Sequence, residues 1–155
     1  MLTVGPLFGH IKNVEQKENA MNIKKIFTIL VHAFIGWALC GAIMFIGTSV
    51  MDIQTTLIVH AIGAPIIFTI ISLIYFNKFN YTPPLQTALI FVSFVIAMDF
   101  FLVALIINRS LEMFASPLGT WIPFALIFTS TYVTGLLTVR SSEGQAVSFV
   151  EHGSK

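Results

Sequence analysis

Three side chains in this sequence could do chemistry in a setting that makes them costly to keep: His32, His60 and Asp99. Each lies inside a long apolar run. A carboxylate at mid-bilayer costs at least about 2.5–3.5 kcal/mol on insertion scales, so such groups face the helix bundle and find partners. An imidazole and a carboxyl that meet there can pass a proton, as proton pathways do. Two imidazoles on facing helices can instead ligate a haem iron axially. The single thiol, Cys40, can form no internal disulfide and supplies no Cys-based metal site.

The elements that must hold these residues follow from composition. Hydrophobic residues make up 56% of the 155 and charged residues only 10%, against about 25% charged in an ordinary soluble domain. A short soluble chain cannot bury that much apolar surface in one core. Lipid removes the conflict, because apolar surface is unpenalised on the outside. Four stretches of about 20 apolar residues read as transmembrane helices. They cover about 26–50, 53–76, 84–108 and 117–139. Barrel strands would alternate apolar and polar residues, and these runs do not.

The breaks carry helix chemistry. Met51-Asp52 is a very short first turn, and Pro83-Pro84 suits the start of the third helix, where a missing N–H costs nothing. Ser116-Pro117 repeats that signal for the fourth. The first span is too long for a cleaved signal core, and no small-residue cleavage site follows it. The leucine directly before Cys40 argues against a lipoprotein site. The expected fold is therefore an all-α integral membrane protein, a four-transmembrane-helix antiparallel bundle over 24–140. Tails at 1–23 and 141–155 are expected to be disordered. Met21 to Lys25 would itself serve as a protein start, so the first twenty residues are expected to add nothing to the fold.

Lysine and arginine prefer the cytoplasmic side. Lys12, Lys17, Lys24, Lys25, Lys78, Arg140 and Lys155 fall on one side and Arg109 alone on the other. This puts both termini in the cytoplasm and the protein in the cell membrane, with the lipid bilayer as its first partner. A net charge of +1 lacks the basic stripe that nucleic acid requires.

Helical spacing groups polar and small residues on one face of each span. These faces are His32, Gly36, Cys40, Ile43 and Gly47; Thr56, His60, Gly63, Ala64 and Ile67; Gln86, Ser93, Ala97 and Ala104; and Thr120, Phe124, Thr131, Thr134, Gly135 and Thr138. Such stripes are expected to be helix–helix seams, since small residues let membrane helices approach. Pro65 and Pro123 each free a carbonyl and are expected to kink their helices. Trp121, Tyr75, Phe76, Phe79 and Tyr81 fit interfacial aromatic belts.

Depth follows from hairpin geometry, since residues equidistant from a turn lie level. Turns centred near residues 80 and 50 put His60 opposite Asp99, with Cys40 in the same layer. His32 then lies about 12 Å nearer the cytoplasm, at 1.5 Å per residue. That offset opposes a haem between His32 and His60.

No HExxH, GxSxG or Gly-rich phosphate loop is present, so an enzyme reading finds no support. The reading the sequence favours is a non-catalytic membrane subunit or assembly factor acting through helix packing, as a homo-oligomer or with a membrane-protein partner, without cofactor or metal. The alternatives are a proton-linked small transporter, or a component of one, using His60 and Asp99, and a haem-binding redox module using His32 and His60.

Overall fold

Apolar residues all round a helix leave it no amphipathic face, so the polar and small residues decide which helices meet. In the computed structural model the backbone is described for residues 5–152 and side chains for 22–112 and 114–141. The helices are α1 (Gly5–Val50), α2 (Ile53–Lys78), α3 (Pro84–Met98) and α4 (Ile122–His152). A wider π-helical stretch, Asp99–Asn108, continues α3, and a π turn at Pro117–Trp121 leads into α4. No strand occurs among the described residues.

Four helical stretches are long and apolar enough to cross a membrane: Asn22–Val50, Ile53–Lys78, Pro84–Asn108 and Pro117–Ser141. Together they form an all-helical bundle with the length and apolar composition of a multi-pass membrane protein. The segments expected as tails, 1–23 and 141–155, lie mostly outside the residues whose side chains are described. Where their backbone is described, they continue α1 and α4 as helix.

Local chemistry sets the ends. Asp52 caps α2, accepting from the backbone N–H of Thr55 at 3.0 Å and from its hydroxyl at 2.6 Å. Ser116 accepts from the N–H of Gly119 at 3.1 Å ahead of α4. Between α2 and α3, the Tyr75 hydroxyl meets Thr82 at 3.0 Å and Thr82 meets Thr87 at 2.8 Å, which ties the turn to both helices. Asn80 and Arg109 take left-handed backbone, with φ of 43° and 52°, which ends the helical run before each turn.

The helices pack in the ring order α1, α2, α4, α3, and α2 and α3 lie across the diagonal. The α1/α2 seam is built from glycine. A Cβ on Gly36 would lie 2.6 Å from the Phe68 ring, one on Gly63 2.8 Å from Ile43, and one on Gly47 2.5 Å from Thr56. On α4, a Cβ on Gly135 would lie 2.6 Å from the Phe76 ring and 2.7 Å from Pro84. Aromatic rings fill the centre: Phe68 meets Phe91 at 5.9 Å and Tyr75 meets Phe91 at 6.2 Å, reaching over the diagonal. The stripes expected on the first, second and fourth spans are seams, with Gly36, Cys40, Thr56, Ala64, Thr131 and Gly135 buried.

The stripe expected on the third span is not one face. Gln86, Ser93 and Ala97 point outward, while Ala104 is fully buried. The π-helical stretch begins between them, and its wider turn shifts every later residue out of α-helical phase. Pro123, the second residue of α4, falls where the π turn gives way to α-helix. The irregularity expected of this proline is therefore placed at a junction. Pro65 lies inside a helix that runs unbroken from Ile53 to Lys78.

Candidate functional site

Asp99 is the first residue of the π-helical stretch, and its carboxylate accepts a hydrogen bond from the indole Nε1 of Trp37 at 2.8 Å. This bond joins the third span to α1. A donor of this kind is what a carboxyl buried in hydrocarbon needs. Cys40, one turn along α1 from Trp37, is 4% exposed.

His60 does not join them. Both its ring nitrogens are buried and have no hydrogen-bond partner. The expected His60–Asp99 pair is corrected on this point, and the cause is the ring order. Chain order makes α2 and α3 neighbours, but they stand across the diagonal, and the indole of Trp37 takes the carboxylate. The glycine contacts also centre the first hairpin near residue 52. His60 is then level with Met44, and Cys40 with Ala64. His60 lies in the α1/α2 seam, one turn from Gly63 and Thr56.

His32 belongs to a different part of the bundle. Its Nδ1 is 2.7 Å from the carbonyl of Thr28, so this nitrogen carries the proton and donates. Its ring stands edge-on to Tyr75 at 5.6 Å and Phe79 at 5.3 Å. Tyr75 lies fifteen residues beyond His60 on α2, or about 22 Å at 1.5 Å per residue. His32 and His60 are too far apart to ligate one iron, and the haem reading loses the geometry it requires. Among the described residues, no three His, Cys, Asp or Glu side chains gather as a metal site would.

Trp37 is the residue that sequence reasoning missed. Trp121, expected in an interfacial belt, is 58% exposed, and its indole donates to the Phe114 carbonyl at 2.9 Å. Trp37 is mid-span, where a tryptophan N–H has no water to bond. That depth is the signal that could have paired it with the one carboxylate in the spans.

Two further hydroxyls, Ser72 and Thr131, are 0% exposed and have no partner. On the outside of the bundle, the open side between α1 and α3 forms a shallow groove lined by Leu30, Gln86, Leu89, Ile90, Ser93 and Phe94. Comparison with protein families, curated proteins and solved structures finds no match to the chain.

Proposed function

We propose that the protein is a non-catalytic membrane subunit that packs its third span against the transmembrane helix of a partner. The observation that carries this reading is the groove between α1 and α3. Gln86 and Ser93, seven residues apart and so on one helix face, point outward there. Lipid chains offer such groups nothing, whereas a helix presenting a hydrogen-bonding side chain satisfies them. The third span is also the least covered, with 17% of its most apolar stretch buried against 33% for the fourth. The one carboxylate in the spans is meanwhile engaged inside the bundle by Trp37, which gives it a structural task.

The charge bias supports a cell-membrane location with both termini in the cytoplasm. A photo-crosslinking amino acid at Ser93 tests the packing face in native membranes, with the same probe at Ile62, 60% exposed on α2, as control. The expected result is a discrete protein adduct from residue 93 and none from residue 62. Lipid adducts alone at both positions would remove this reading.

A second reading, proton-linked transport, is favoured by one observation, the uncommitted imidazole of His60. Proton flux in liposomes that survives His60→Asn and Asp99→Asn, or no flux at all, would dispose of it.

A further inference from the structure

The tightest parallel seam of the bundle, between α2 and α4, contains two hydroxyls that its own atoms leave unbonded. Ser72 and Thr131 are each 0% exposed, and neither oxygen has a partner. Their placement is not independent. The Phe76 ring lies where a Cβ on Gly135 would sit, so Phe76 and Gly135 touch across the seam. Ser72 and Thr131 are each four residues earlier on helices that run in the same direction. A step of four residues moves one turn along both helices and stays on the same face, so a touching pair implies a second facing pair one turn away.

A buried hydroxyl without a partner is costly. A buried water typically bonds two to four such groups. We infer that Ser72 and Thr131 together hold one water molecule between α2 and α4. The water donates to one hydroxyl oxygen and accepts from the other, and its remaining capacity can reach carbonyl lone pairs of the same turn. The site takes water because both residues are wholly enclosed and offer only hydroxyl chemistry. It is separate from the groove between α1 and α3 and does not depend on what packs there.

A structure of the full chain in lipid nanodiscs, at a resolution that shows ordered solvent, tests the assignment. One density peak within hydrogen-bond distance of both oxygens is expected. Hydroxyls turned back to the carbonyls of Phe68 and Ile127, or bonded directly to each other without a peak between, would overturn it. Detergent melting provides the second readout. Ser72→Ala and Thr131→Ala should each lower the melting temperature by on the order of 2–4 °C. The double variant should lose clearly less than the two losses added, because no unpartnered hydroxyl is left behind. Thr131→Ser, which keeps the oxygen, should retain the peak and melt close to the parent. Strictly additive losses would count against a shared water.

Discussion

The indole N–H of Trp37 and the carboxylate of Asp99, 62 positions apart in the chain, meet at 2.8 Å and join the first span to the third. Removing the donor leaves the carboxylate buried without its bond. Trp37→Phe should therefore destabilise by about 1–3 kcal/mol, the cost of leaving a buried polar group unsatisfied. Asp99→Asn keeps an acceptor oxygen and should be the mildest change at this site. Trp37→Phe combined with Asp99→Leu should recover part of the loss. Thermal melting in detergent measures all three against the parent, and a Trp37→Phe protein as stable as the parent would show that the bond contributes nothing.

His60 behaves differently because no bond is lost with it. His60→Leu should leave the melting temperature unchanged or raise it, since two unpaired ring nitrogens are replaced by apolar surface. Its effect should add to that of Asp99→Leu within about 0.5 kcal/mol, as for sites without contact. A coupling above that value would restore the His60–Asp99 pair.

Glycine tolerance should sort by seam. Gly135→Ala and Gly47→Ala drive a methyl into Phe76 and Thr56 respectively, and overpacking of this kind costs about 1–3 kcal/mol. Gly41 has nothing within 4 Å of an added Cβ, so Gly41→Ala should be neutral or gain up to about 1 kcal/mol of helix propensity. Comparative melting of the three variants checks the order.

Asp52 gives the pH dependence. The Thr55 hydroxyl and then the Thr55 N–H hold its carboxyl below the ordinary value of 3.8. A carboxyl lowered in the folded state stabilises above its ordinary value, and the contribution fades as pH falls through the lowered one. The side chain is fully exposed, so the effect is small. Asp52→Asn, which caps without titrating, should flatten the acid limb of a melting-versus-pH curve. An unchanged acid limb would mean that the cap plays no part in it.

Orientation can be read with fusions after Met51, Phe79, Leu111 and Lys155. A reporter active only outside the cytoplasm should work after Met51 and Leu111 and stay silent after Phe79 and Lys155. Activity after Phe79 would reverse the assignment.

The helices and three of the four seams were legible in the sequence because they depend on local facts. Apolar length defines the spans, and Gly36, Gly47 and Gly135 mark close approach wherever they occur. The Trp37–Asp99 bond was not legible, because it depends on which helices are neighbours. Chain order puts α2 beside α3, and only three-dimensional packing sends α4 between them. The third seam failed for a different reason. Helical spacing assumes 100° per residue, and the switch to π-helix at Asp99 breaks that assumption between Ala97 and Ala104.

The ring order also bears on how the chain assembles. Neighbours in the ring are either partners in a hairpin, α1 with α2 and α3 with α4, or strangers in sequence, α1 with α3 and α2 with α4. Glycine contacts dominate inside the first hairpin, whereas the Trp37–Asp99 bond and the Ser72–Thr131 face lie between hairpins. Gly135 against Phe76 also lies between the hairpins, so close packing and polar groups together fix the register in which the two halves meet. A chain divided in the turn at Phe79–Pro83 and expressed as two fragments keeps both hairpins whole, so the two halves should still associate through the contacts between them.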